Sequence, residues 1–124
     1  MATLPSILIL EDDYLTARFI AEAVADAGYR ALGPVSSAES AQKLINEKGI
    51  DAALLDARLG ADARSFDLAA RLQAMRVPFA FITGYSPALL PSAFRQTPWL
   101  MKPASRESLV KLLHRLVPLP SGES

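Results

Sequence analysis

The stretch Ile7-Leu8-Ile9-Leu10-Glu11-Asp12-Asp13 decides the fold. Four uninterrupted apolar residues are too few for a helix and, rich in β-branched side chains, read as a strand buried on both faces. Three consecutive acids stop the run abruptly and mark one end of that strand. From residue 14 the apolar period becomes helical. Leu15, Phe19, Ala23 and Ala27 form one row at i+4 spacing with Ile20 and Val24 beside it, which predicts a helix with that row inward. Asp13 suits the start of this helix, where an acid complements the dipole, and Gly28 suits its stop.

The same alternation repeats down the chain. Ala31-Leu32-Gly33-Pro34-Val35 reads as a second, weaker strand, and Ser36 or Ser37 as the cap of a helix carrying Ala41, Leu44 and Ile45 that stops near Gly49. Ala52-Ala53-Leu54-Leu55 is a third apolar run and again ends in an acid, Asp56. A loop from Ala57 to about Ser65 leads to a helix expected to turn Leu68, Ala69, Leu72 and Met75 inward. Val77 to Ile82 forms a fourth strand ending at Thr83-Gly84, and Pro87 and Pro91 keep the next helix short or irregular. Trp99-Leu100-Met101 is a brief fifth strand before Lys102-Pro103, and Leu109, Leu112, Leu113 and Leu116 define the last helix. Strands alternating with helices imply an α/β domain: one doubly wound, five-stranded parallel sheet with helices on both faces. The expected domain is 1–117, with 118–124 as a short C-terminal tail lacking an output domain.

Composition narrows the chemistry. Among 124 residues, 13 Lys+Arg balance 13 Asp+Glu, which leaves no electrostatic footprint for nucleic acid or an anionic membrane. The absence of cysteine excludes disulfides, thiolate metal sites and a cysteine nucleophile. Hydrophobic residues at 51% supply a core, yet no apolar run approaches the ~20 residues of a membrane span. The N-terminus lacks the pattern of a secretion signal, so a soluble, cytoplasmic domain is expected.

Polar residues sit where such a sheet binds ligands, beyond the carboxyl ends of its strands. Glu11, Asp12 and Asp13 follow strand one, Asp56 strand three, Thr83 strand four and Lys102 strand five. In the order 2-1-3-4-5, strands one and three are neighbours and their acids converge. Crowded carboxylates disfavour one another's ionisation, and a hard divalent cation with oxygen ligands, Mg²⁺, relieves that repulsion. Lys102 and the Thr83 hydroxyl across the pocket complete a set of groups suited to phosphoryl transfer onto a carboxylate.

Taken together, Ile7 to Asp13, Leu54-Leu55-Asp56, Phe81-Ile82-Thr83-Gly84 and Met101-Lys102-Pro103 give the chain a strong resemblance to the receiver domain of two-component response regulators. The likeness extends over nearly the whole chain and implies a flavodoxin-like fold. It implies that Asp56 is the phosphoacceptor, that Glu11, Asp12, Asp56 and the backbone carbonyl of Arg58 hold Mg²⁺, and that Thr83 and Lys102 contact the phosphoryl group. Phe81-Ile82-Thr83-Gly84 is similar to the Phe-x-Thr-Gly signature of a subgroup of stand-alone receivers with an atypical fourth helix. Two departures stand out. Leu59-Gly60 and the segment Ala61 to Ser65 replace the Met-Pro and Asp-Gly pairs usual in the family, and Trp99 occupies the position of its switch aromatic. Tyr85 and Arg58 fall at positions flanking the path of hydrolytic water, and a large aromatic there implies a long-lived phosphoryl state.

The implied function is a single-domain switch that accepts a phosphoryl group from a histidine kinase or phosphotransfer protein. Its only chemistry would be its own phosphorylation and dephosphorylation, and it would signal to a separate protein target, with a homodimer as one form of output. A receiver-fold interaction module that no longer phosphorylates is the alternative, motivated by the loop after Asp56 and by Trp99. A nucleotide- or flavin-binding domain ranks last, because Glu11-Asp12-Asp13 stands where a glycine-rich phosphate turn would be needed. Leu89, Leu90 and Phe94 suit either an interaction face or the core. His114, Arg71, Arg76, Arg95 and Arg106 read as solvated surface.

Overall fold

The computed structural model describes residues 3–57 and 64–119. Each apolar run forms a strand: β1 (Ser6–Leu10), β2 (Arg30–Val35), β3 (Ala52–Asp56), β4 (Phe79–Thr83) and β5 (Trp99–Met101). All pair in parallel in one sheet of order β2-β1-β3-β4-β5. Helices α1 (Tyr14–Asp26), α2 (Ala38–Lys48) and α3 (Arg64–Ala74) connect the first four strands, and α4 (Arg106–Leu116) follows β5. The segment 87–94 forms two single 3₁₀ turns, Pro87–Leu89 and Ser92–Phe94, in place of a regular helix. No helix among the described residues is long and apolar enough to cross a membrane.

Side-chain alternation along the strands divides the core in two. Ile7, Ile9, Leu54, Ala80 and Ile82 pack against Ile20 and Val24 of α1 and Leu109, Leu112 and Leu113 of α4. On the opposite face Leu8, Leu10, Leu55 and Phe81 pack against Ile45 of α2 and Leu68 and Leu72 of α3. Where the irregular 3₁₀ segment meets this face, Phe94 and Leu90 are buried, and Phe94 stacks on Phe66 with ring centroids 5.9 Å apart. Leu89 is exposed.

Local chemistry sets the helix limits. Asp13 caps α1 by accepting hydrogen bonds from the Thr16 backbone N–H at 2.9 Å and the Thr16 hydroxyl at 2.6 Å, which holds its carboxyl below the usual range. The helix closes with Gly28 at φ +102° while Tyr29 N–H donates to Val24 O, the close that glycine makes without steric cost. Ser37 and Ser105 cap α2 and α4. After α4, the Tyr29 hydroxyl donates to Val117 O at 2.7 Å, and Leu119 packs against the α1–α4 side of the core.

Three sequence expectations need correction. Leu15 and Phe19 do not face inward: Leu15 is 73% exposed and Phe19 is also exposed, while Ala17, Ile20, Ala23 and Val24 carry the buried face of α1. The buried stripe of α1 runs through Ala17, Ile20, Ala23 and Val24, and Leu15 and Phe19 fall on its flank, beside Pro103 and Ala104. Met75 is exposed rather than inward, because α3 ends at Ala74 and Arg76 takes a left-handed φ of 61° that turns the chain toward β4. That strand begins at Phe79 and not Val77, since Pro78 has no N–H to offer a neighbour.

Candidate functional site

Strand register brings the polar residues to one level. Leu10 pairs with Leu55, Asp56 with Ile82 and Thr83 with Met101, so Glu11, Asp56, Thr83 and Lys102 emerge side by side at the carboxyl edge of the sheet. Glu11 is tied to β2 by its backbone N–H, which donates to Val35 O at 2.9 Å. Its side chain is buried, and Oε2 accepts from the Asp13 N–H at 3.0 Å. Oε1 accepts no well-aligned hydrogen bond, and its close neighbour is the Lys102 ammonium, with Nζ at 2.7 Å. The same ammonium lies 3.1 Å from Asp56 Oδ1. Lys102 N–H donates to Thr83 O at 2.8 Å, which fixes the start of its loop against β4.

Carboxylate oxygens of Glu11, Asp12 and Asp56 lie within 4.8 Å of one another. Burial and then the charge of Glu11 push the Asp56 carboxyl up to about 6, with Lys102 opposing both. For Lys102, burial disfavours the charged form, but its contacts with Glu11 and Asp56 outweigh burial and raise its affinity for the proton. Asp56 is therefore mostly ionised at neutral pH while held in an environment that resists its charge. Thr83 is fully buried, and its hydroxyl oxygen accepts from the Tyr85 N–H at 3.0 Å.

The other expected residues are placed as follows. Tyr85 is 41% exposed beside Thr83, and Trp99 is 38% exposed on β5. Arg58 and the segment Leu59 to Ala63 lie outside the described residues. Asp13 serves as the α1 cap and is not a member of the acidic cluster. Sequence reasoning missed a groove of about 570 Å³ beside the acids, in which Leu15, Phe19, Pro103 and Ala104 surround an approach to Lys102. The signal that could have found it is the apolar pair Leu15 and Phe19 at i, i+4 on the first turns of α1, off the stripe of Ala17, Ile20, Ala23 and Val24.

No protein-family model matches the chain, and neither does any curated protein. Among solved structures it is similar to SdrG from Sphingomonas melonis Fr1, with 34% identity over 94% of this chain and 99% of that one and a TM-score of 0.79. SdrG from Pseudomonas melonis Fr1, in its BeF3-activated conformation, matches with 33% identity over 96% of this chain and 100% of that one, at a TM-score of 0.78. A CheY-like response regulator receiver domain from Methylobacillus flagellatus follows, with 25% identity over 92% and 99% of the two chains and a TM-score of 0.76. The chain belongs to the response regulator receiver family.

As a receiver domain, the molecule has a donor set that fits Mg²⁺. The set is three carboxylates and hard oxygen throughout, and one buried oxygen, Glu11 Oε1, lacks an aligned hydrogen bond. The CheY-like fold, with order 2-1-3-4-5, accounts for why residues so distant in sequence meet at this edge of the receiver.

Proposed function

We propose that this receiver accepts a phosphoryl group on Asp56 from a phosphohistidine donor and signals through protein contacts. The observation that carries the reading is the placement of Asp56: an ionised but desolvated carboxylate at the end of β3, 3.1 Å from Lys102 and inside the acidic cluster. In the transfer, an Asp56 carboxylate oxygen forms a bond to phosphorus as the bond from phosphorus to the donor imidazole nitrogen breaks, and the electron pair leaves with that nitrogen. Glu11, Asp12, Asp56 and the Arg58 backbone carbonyl would hold Mg²⁺, which when bound supplies positive charge to the phosphoryl oxygens. Lys102 contributes a second cation, and the Thr83 hydroxyl is a hydrogen-bond donor to the same group. The domain is a switch, not a turnover enzyme.

The apolar groove of Leu15, Phe19, Pro103 and Ala104 supports a donor that arrives as a helix, since it offers exposed hydrophobic surface leading to Lys102. Tyr85, Leu89, Trp99 and Met101 are exposed around the 3₁₀ turns and β5, which supports that region as the face read by a downstream protein or a second copy. We place the protein in the cytoplasm, where phosphohistidine donors and Mg²⁺ are available.

Incubation with acetyl phosphate and Mg²⁺ tests the reading by mass spectrometry. The expected result is addition of one phosphoryl group that chelation of the metal and Asp56→Asn both abolish. No addition with acetyl phosphate or with a phosphohistidine donor would instead leave a receiver-fold interaction module.

A further inference from the structure

The edge of the sheet opposite the acidic cluster has chemistry of its own. Pro78 O accepts from Ala53 N–H at 3.1 Å and Pro98 O from Phe81 N–H at 3.0 Å, which sets the two prolines at the amino ends of β4 and β5. Beside them lies a groove of about 420 Å³, bounded by the end of α3, the 3₁₀ segment and the end of α4. Half-buried Val77, Pro98 and Leu116 give it an apolar floor, and Gln73, Arg76, Gln96 and Thr97 supply polar groups. No acid is among the described residues that line it. Glu107 is the single acid between Arg71 and Leu119, a stretch that holds more than half of the chain's Lys+Arg. A net charge of zero therefore conceals a basic β4–β5–α4 side. Arg76 stands out within the groove. Its φ of 61° is one that glycine adopts freely and a residue with a Cβ adopts at a cost. Yet its side chain is exposed and, among the described residues, makes no ion pair or hydrogen bond, so packing does not account for an arginine there. Residues held away from their preferred backbone regions gather at ligand clamps and binding sites.

We propose that this groove is a second docking site, which takes a short acidic peptide segment of a partner protein. Side chains carry the recognition, because Arg76 N–H and Thr97 N–H already donate to Gln73 O and Phe94 O, and the prolines have no N–H. A guanidinium matches a carboxylate in two-point geometry, which assigns the acid of the peptide to Arg76. Carboxamides both donate and accept, so Gln73 and Gln96 match the C=O and N–H of neighbouring peptide units. An aliphatic side chain next to the acid covers Val77, Pro98 and Leu116. The volume falls within the range of ligand sites, about 300–1,000 Å³. Asp56 ends β3 at the carboxyl edge, whereas the groove lies at the amino edge, so docking here does not depend on the phosphoryl state.

The probes are end-capped pentapeptides with a central Glu flanked by Leu, Val or Ile, titrated into the isotopically labelled protein and followed by NMR. The side-chain amide resonances of Gln73 and Gln96 and the backbone N–H of Arg76 and Thr97 are expected to shift together, while those of Glu11 to Asp13 stay fixed. Exchanging the central Glu of the peptide for Gln is expected to weaken binding by about fivefold or more, since the charge-assisted pair is lost. Arg76→Gly, which suits the local backbone, is expected to weaken it by the same factor without lowering the denaturation midpoint, so that loss of binding is separated from loss of fold. Arg76→Glu is expected to turn the preference toward peptides with a central Lys. Asp56→Asn is expected to leave affinity within about twofold, as for sites that share no partners. The proposal is overturned if no peptide shifts the groove resonances, or if Arg76→Gly or the Gln-containing peptide binds as tightly. Inorganic phosphate alone shifting the same resonances as strongly also overturns it, leaving a simple anion contact. Shifts that depend on protein concentration in the absence of peptide overturn it in favour of a second copy of the chain.

Discussion

Asp56 concentrates the energetics of the site in one side chain. Its carboxyl is only 11% exposed and titrates near 6 in the folded state, against 3.8 when unperturbed. The native state therefore holds a proton that the unfolded state has lost between about pH 4 and pH 6, and stability falls as pH rises through that window. A shift of this size corresponds to at most about 3 kcal/mol at neutral pH. In the absence of metal, urea unfolding is expected to show Asp56→Asn gaining on wild type by up to that amount between pH 4 and pH 7.5, and equal pH profiles would contradict it. Tyr85 acts at the same scale. It stands partly exposed two residues beyond Thr83, and its ring is expected to hinder in-line attack of water on phosphorylated Asp56. Tyr85→Ala should shorten the lifetime of the phosphorylated protein several-fold, as followed by decay of the phosphoryl label; a longer-lived mutant would contradict the assignment.

Elements add their own constraints, most visibly where they end. The helix α3 closes at Arg76, a non-glycine residue at φ 61°, with Val77 N–H donating to Leu72 O at 2.9 Å and Arg76 N–H to Gln73 O at 3.1 Å. Glycine adopts this conformation without the Cβ clash that costs other residues roughly 1–2 kcal/mol. Arg76→Gly is expected to raise stability by about 1 kcal/mol, visible as a higher denaturation midpoint with unchanged slope. The exposed Arg76 side chain makes that substitution inexpensive in packing. The start of α1 shows a different compromise. Asp13 and Thr16 fix where the helix begins, and Leu15 and Phe19 on its first turns are left exposed beside Lys102. Phe19→Asp should slow phosphoryl transfer from a protein donor at least tenfold while leaving labelling by acetyl phosphate within twofold, because only the former needs the groove. Equal losses with both donors would place the defect in the site itself.

The whole molecule is a sheet whose order makes chemistry out of distant acids. Because β1 lies between β2 and β3, residues 11 and 56 become neighbours, and pairing of β4 with both β3 and β5 carries Thr83 and Lys102 to the same edge. This much was legible in the chain: four-residue apolar runs ending in acid, Thr83-Gly84 and Lys102-Pro103 specify parallel strands and the edge on which their polar ends lie. Such features depend on local periodicity and on the absence of polar residues inside each run, and a one-dimensional pattern records both. Three matters depended on what packs against what. Burial of Ile20 and exposure of Leu15 depend on which side of α1 is turned to the sheet and α4, which helical spacing does not settle where apolar residues lie on both sides. The turn at Arg76 was invisible because no glycine marked it. The ion pair of Lys102 with Glu11, closer than that with Asp56, depends on the lengths of two side chains meeting across the β1–β3–β4–β5 edge. Sequence determined the strands, the polar residues at their ends and the family they resemble; tertiary structure decided which oxygen faces which cation, because side-chain distances arise only when all the elements are packed at once.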